Sequence, residues 1–310
     1  MGIKNIVVVD TVGNISGISP DYLSAFPFVK EWHGYEPSTS KGGIPHPHGG
    51  MCMGQVLMPL WDDTDEIYAH FIRIFDSSGT LIENGPLIAT GFIREIAKTG
   101  PTWVNNSWGM YIGSRDSSKH MFDSIPWRNL IEETEVSVFW AAGNSGDYSI
   151  DIDEDVPQGL LTDISPKIAA ANKDGKPAIY SSDSLNAPPL VSFWGTRVRL
   201  MNPVNAEWEI ASGTSFAAPK ATGLAASRSL SIADFTALAE TSSSFPQGYP
   251  GPRPHPKWGY GWLEHEYQKE IRDCPYRFEA VGPRNLESEV SLSWFDMELR
   301  NDSILRRDFE

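Results

Sequence analysis

The chain has 310 residues, 40% of them hydrophobic and 21% charged, with a formal net charge of −15. That is enough chain for a sizeable core in one large domain or two small ones. The acidic balance argues against nucleic acid or an anionic membrane as the main partner, and no stretch approaches the ~20 apolar residues of a membrane span. Two cysteines, Cys52 and Cys274, are too few for a disulfide framework. A single bridge stays open, and a reducing compartment is the simpler reading. The N-terminal apolar run is only Ile6 to Val9 and meets Asp10 at once, unlike a secretory signal. Position 6 also lacks the Ser or Thr of a myristoylation signal. The expectation is a cytoplasmic protein.

Ile6 to Val9 is β-branched without alternation, as in a central strand buried on both faces. Asp10 then stands at the C-terminal end of that strand, the edge where α/β sheets place their sites, though an Asp that merely ends a strand in a turn has the same look. Residues 14–45 are dense in Gly, Pro and Ser and read as loop with one helical turn. After His46-Pro47-His48 the sequence turns apolar and unbranched, which predicts a helix from about Gly49 to Pro59. Two loop histidines without a third ligand do not predict a metal.

Further strands are predicted at Tyr68 to Phe75, Trp103 to Gly109, Val136 to Ala142, Ile168 to Ala171 and Leu190 to Phe193, with helices at Leu87 to Ala97 and Ile125 to Glu135. Strands alternating with helices over this length argue an α/β domain with a mainly parallel sheet. The acidic stretches 62–66 and 147–155 read as solvated loops. The second lacks the Gly and distal Glu of a calcium hand, so structural calcium has no clear motif behind it. Residues 242–257 read as loop, and Trp258 to Leu263 lead into a short helix.

Gly213-Thr214-Ser215 precedes a run of high helix propensity, Phe216 to Ser229, with Pro219 in its first turn. A Ser there has its own backbone N–H free and a partial positive charge nearby. Both suit the oxyanion formed when a hydroxyl attacks a carbonyl. An ordinary Ser N-cap on an Ala-rich core helix explains this stretch equally well.

The order Asp, His, Ser is one of the known chain orders of the nucleophilic triad. The blocks Val7-Val8-Val9-Asp10-Thr11, His48-Gly49-Gly50-Met51-Cys52-Met53-Gly54, Ala141-Ala142-Gly143-Asn144 and Gly213-Thr214-Ser215-Phe216-Ala217-Ala218-Pro219 resemble the four signature blocks of the subtilisin-like serine proteases, the subtilases. Gly259-Tyr260-Gly261 resembles the segment that closes that family's domain. The resemblance implies a three-layer, doubly wound α/β fold over residues 1–268. Residues 269–310 would be a C-terminal extension that packs on the domain or on a partner.

Carried over, the resemblance makes Ser215 the nucleophile, His48 the general base and acid, and Asp10 the group that orients the imidazole. Asn144 would donate its amide to the oxyanion beside the Ser215 N–H. Ser107, Trp108 and Gly109 would pair with an extended substrate backbone, and Ala141, Ala142 and Gly143 would form the other wall of the specificity pocket. Trp108 and the small Ala141-Ala142 wall suggest a pocket for an apolar side chain. Cys52 would be a packed thiol beneath His48. No cofactor or metal is required, and the partner is a protein or peptide substrate, with a further protein partner open through the extension.

Three departures stand out. Val12 takes the place of the usual Gly, which moves to Gly13. Gly50-Met51 replaces the usual Thr-His, and Lys220 stands where His is frequent. With nine residues before Asp10, the expectation is a domain without the prodomain many members carry. The expected activity is serine endopeptidase. The alternative is a subtilase fold used as a structural or interaction component of a larger assembly, for instance a viral particle or an operon-encoded complex. An α/β-hydrolase is not expected, because the Gly-x-Ser-x-Gly elbow and the order Ser, Asp, His are both lacking.

Overall fold

A computed structural model of the chain describes residues 2–37, 46–76, 79–111, 117–146, 155–156, 158–184, 188–245 and 253–274. The strands are β1 (Ile3–Asp10), β2 (Val29–Tyr35), β3 (Glu66–Arg73), β4 (Thr102–Asn106), β5 (Met110–Tyr111), β6 (Ser137–Ala141), β7 (Asp155–Val156), β8 (Lys167–Ala171), β9 (Val191–Trp194), β10 (Val198–Met201) and β11 (Trp208–Ala211). The helices are α1 (Pro20–Ser24), α2 (His48–Leu57), α3 (Gly85–Ala97), α4 (Ser117–Glu133), α5 (Ala218–Ser227), α6 (Ile232–Ser242) and α7 (Glu264–Glu270).

Seven strands form one sheet in the order β2-β3-β1-β4-β6-β8-β9. Every neighbouring pair in it is parallel. The β-branched run of β1 explains its central place. Ile6 and Val8 face a cluster shared with α2, α5 and α6, whereas Val7 and Val9 face one shared with α3 and α4. Successive side chains of a strand alternate between faces, so a strand apolar at every position buries itself only between two layers. This is the three-layer α/β arrangement expected.

The connection order reverses at β1, with β3 and β2 to one side and β4 onward to the other. In open α/β sheets the crevice beyond the strand carboxyl ends at such a reversal is where ligands bind. Asp10 ends β1, Ser107 follows β4, and Ala142 to Asn144 follow β6. The topology alone therefore gathers them at one edge.

Several expectations need correction. Residues 29–35, taken as loop, form the edge strand β2. Its sequence, VKEWHGY, sets Lys, Glu and His among its apolar residues, as suits an edge strand, and its lone buried position is Val29. The antiparallel pair β10–β11 was not foreseen. Helix α4 begins at Ser117, eight residues before the expected Ile125, and carries Pro126 in its interior. The acidic stretch 62–66 is not wholly a solvated loop: Asp63 forms a partly buried ion pair with Lys4 at 2.6 Å, and Glu66 opens β3. Of the second acidic stretch, residues 147–154 lie outside the described residues. So do residues 246–252 of the predicted loop.

The packed structure continues past residue 268. Ile271 and Cys274 are buried in the larger core cluster. Residues 275–310, most of the predicted extension, lie outside the described residues. Both cysteines are buried, and they form no disulfide with each other. Among the described residues no helix is long and apolar enough to cross a membrane.

Candidate active site

Asp10 is 1% exposed at the end of β1. Its carboxylate accepts the Thr11 backbone N–H at 2.8 Å and meets His48 Nδ1 through Oδ1 at 3.0 Å and Oδ2 at 2.9 Å. His48 opens α2 on the neighbouring layer. Gly49 allows this closeness, since a Cβ there would lie 2.9 Å from Asp10 Cβ. Thr11 ties the two blocks together: its hydroxyl donates to the His46 carbonyl at 2.8 Å and accepts from the Gly49 N–H at 3.2 Å. Sequence reasoning did not single out Thr11, although it stands between Asp10 and the Gly13 turn.

The Asp10 contact fixes the His48 tautomer. An ionised carboxylate only accepts, so Nδ1 carries the proton and Nε2 is left as the acceptor of the neutral ring. Burial drives the imidazole toward its neutral form. The Asp10 charge and hydrogen bond, with a smaller contribution from Cys52, outweigh this and raise its pKa well above the ordinary value. His46 is pushed the other way, down to about 4, by its own burial and by His48.

Ser215 lies in a single 3-10 turn, Thr214–Phe216, immediately before α5, rather than on the first residue of the helix. The turn's carbonyls take the N–H groups of Phe216 and Ala217. Asn144 Oδ1 accepts the Thr214 N–H at 2.9 Å and the Thr214 hydroxyl at 3.0 Å. The Ser215 N–H lies between these groups and is not used by the turn. With its oxygen committed to Thr214, Asn144 keeps Nδ2 on the side of Gly213, 3.6 Å from where a Gly213 Cβ would stand. Thr214 also accepts the Gly143 N–H at 3.1 Å, so one hydroxyl holds the Asn block against the Ser block. Its role was also not foreseen, since Thr214 reads only as part of the Ser block.

The structure brings Ser215 beside His48 but does not hydrogen-bond them. The Phe216 ring lies 5.5 Å from the His48 ring, and Cys52 Sγ stands 3.3 Å from the Ser215 carbonyl and 4.0 Å from His48 Nδ1. The Ser215 hydroxyl instead donates to the Ser107 carbonyl at 3.2 Å, and His48 Nε2 is buried with no hydrogen-bond partner among the described residues. His48 is thus hydrogen-bonded to Asp10 and not to Ser215. A serine hydroxyl turns between staggered wells about one bond, and here it takes the available carbonyl.

Ser107 adds a second tether, donating its hydroxyl to the Ser215 carbonyl at 2.9 Å. Trp108 is placed differently from expectation. Its ring meets Phe75 and Trp140 edge-to-face and Trp127 at a tilt, and is 4% exposed, with Nε1 bonded to Asn106. The side chain thus fills the core on the α3–α4 side, leaving only its backbone to meet a ligand. Ala141, Ala142 and Gly143, which precede Asn144 in the chain, are buried, and Gly109 is half-buried.

Cys52 is fully buried, and burial raises its thiol pKa. It behaves as a packed thiol that donates to the Ser215 carbonyl. Asp10, His48 and Cys52 form the one group among the described residues whose ligating atoms lie close enough to share a cation, within 4.8 Å. Two of the three are already bonded to each other at 2.9–3.0 Å, so an ion would have to break that contact.

The Subtilase family model matches residues 77–238, just over half of the chain. That match takes in Ser107, Asn144 and Ser215, while Asp10 and His48 precede it. No curated protein matches in sequence. Among solved structures, Sphericase superposes with a TM-score of 0.64 at 20% identity, covering 85% of this chain and 93% of its own. A lanthipeptide protease gives 0.61 at 14% identity over 86% and 87%. The prenylagaramide maturation protease PagA gives 0.58 at 17% identity over 86% and 92%. At these identities the likeness is one of fold.

Proposed function

The chain belongs to the subtilase family, and from that membership we propose that it is a serine endopeptidase acting through Asp10, His48 and Ser215. The observation that carries this reading is the buried Asp10–His48 contact, which directs a bare, buried Nε2 away from Asp10, in a ring packed beside the Ser215 turn. A histidine so held is arranged to accept a proton rather than to fill a core.

In this reading a peptide lies extended along Ser107 to Gly109. The Ser215 hydroxyl turns from the Ser107 carbonyl to His48 Nε2. Its oxygen attacks the scissile carbonyl carbon as the proton passes to Nε2, and Asp10 stabilises the imidazolium. The carbonyl oxygen becomes an oxyanion that accepts from the Ser215 N–H and Asn144 Nδ2. The intermediate collapses, the C–N bond breaks, and His48 returns the proton to the leaving amine. Water repeats the sequence on the acyl-enzyme. A peptide substrate is also what the lanthipeptide protease among the structural relatives is named for.

Labelling with a fluorophosphonate probe tests the assignment. Wild type labels at Ser215, and Ser215→Ala does not. Absence of labelling in well-folded wild type would refute the enzyme and favour the use of this fold as an interaction component.

A further inference from the structure

Lys220 departs from its family and sits five residues past Ser215 on α5. Its Nζ is 2.7 Å from Glu264 Oε1 on α7, with the side chains 2% and 4% exposed. The ammonium also lies over the rings of Trp194 at 4.8 Å and Tyr267 at 5.2 Å. The other Glu264 oxygen accepts the Trp194 backbone N–H at 2.9 Å, fixing the start of α7 to the sheet.

Tyr267 reaches a different helix with its hydroxyl. It donates to the Gln55 carbonyl in the last turn of α2 at 2.9 Å. The residue four on from Gln55 is Pro59, which has no N–H, so the helix cannot satisfy that carbonyl itself. Helix α2 carries His48 at its first residue. One short helix thus holds both the helix of the base and the helix behind the nucleophile.

We infer that α7 is a clamp that sets the separation of His48 and Ser215, with Glu264–Lys220 as one arm and Tyr267–Gln55 as the other. This rests on the reading of those two residues as base and nucleophile. Stability alone does not explain the choice of residues, because a buried ion pair is generally no more stabilising than apolar side chains of the same volume. What the pair adds is a fixed register: the two Glu264 oxygens accept from Lys220, the Gln268 amide and the Trp194 N–H in one arrangement, where apolar groups admit several. The arms also share a part, since the ring whose hydroxyl holds α2 lies against the ammonium of α5. Lys220 and Tyr267 are positioning residues, acting through the helices they hold.

Two variants test the clamp. Lys220→Met/Glu264→Gln removes the charges together, keeps volume, and leaves an acceptor for the Trp194 N–H. Tyr267→Phe removes one oxygen and serves even if the first variant fails to fold. The readouts are the denaturant midpoint, kcat and KM on a peptide substrate, the fluorophosphonate labelling rate, and alkylation of Cys52 followed by peptide mapping. Cys52 is wedged between the two groups and reports their separation without catalysis. The expected result is a near-normal midpoint for the double variant, kcat and labelling reduced about tenfold or more, KM little changed, and faster alkylation of Cys52. Unchanged kcat and unchanged alkylation in folded variants would overturn the clamp. If wild type is not labelled but the variants alkylate faster, the protease reading fails and the clamp stands.

Discussion

Replacing Asp10 by Asn keeps the shape of the carboxylate but removes its charge, and it separates what that charge does from what its position does. The wild-type carboxylate contacts Nδ1 through both oxygens at 2.9 and 3.0 Å with almost no solvent access. Asp10→Asn can offer either an oxygen or an NH2 group to Nδ1, so the ring loses its single tautomer and the imidazolium loses its counter-charge. In serine proteases this change costs ~10⁴ in kcat, or about 5.4 kcal/mol at 1.36 kcal/mol per decade.

The pH profile carries the more specific signature. Asp10 holds the His48 pKa well above its ordinary value against burial, and catalysis needs the neutral ring. The acid limb of kcat/KM in wild type therefore lies above pH ~6.5. In Asp10→Asn burial acts without its main opponent, and the limb moves to lower pH. Stability runs the opposite way. A histidine whose folded pKa is raised contributes stability that is complete below its unfolded pKa and is lost as pH rises through the folded value. Wild type should lose part of its stability over the same alkaline range in which it gains activity. Profiles of kcat/KM and denaturant midpoints for both proteins measure this. A wild-type acid limb at or below pH 6.5, or an unshifted limb in the variant, would refute the reasoning.

Asn144→Asp retains the acceptor for the Thr214 N–H and hydroxyl but replaces the Nδ2 donor. The fold should survive while kcat falls by at least roughly 10²–10³, the effect of losing such a donor in this family, with little change in KM. Equal losses in kcat and in folding midpoint would mean that Asn144 only braces the loop. Gly223→Ala would place a Cβ 2.4 Å from the Val56 carbonyl, where α5 meets α2. Overpacking there should cost about 1–3 kcal/mol in denaturant unfolding and slow fluorophosphonate labelling. A neutral result would show that the two helices separate freely.

Much of the frame was legible because its signals are local. The continuous apolar runs of β1 and β6 could be buried only between two layers, and Asp10 ends the first while Asn144 lies three residues past the second. The Ser215 block was legible as a motif, though alone it was equally a helix cap. The edge strand β2 was not legible. Its pairing partner is β3, about forty residues away, and the Gly, Pro and Ser of the stretch around it read as loop.

Side-chain direction was likewise a matter for the tertiary structure. Trp108 stood in the substrate-binding segment by sequence, yet its ring completes an aromatic cluster with Trp127 and Trp140. The alternation along a strand stops where the strand stops, so nothing local says which way the next residue turns. Lys220 was visible as a departure without a meaning until its partner Glu264, 44 residues on, closed over it. The sequence by itself determined the central strands of the sheet, the order of the chemical groups and the edge on which they meet. The packing of α2, α5 and α7 decided how far apart His48 and Ser215 stand and where the Ser215 hydroxyl points, because those depend on contacts between segments that share no local pattern.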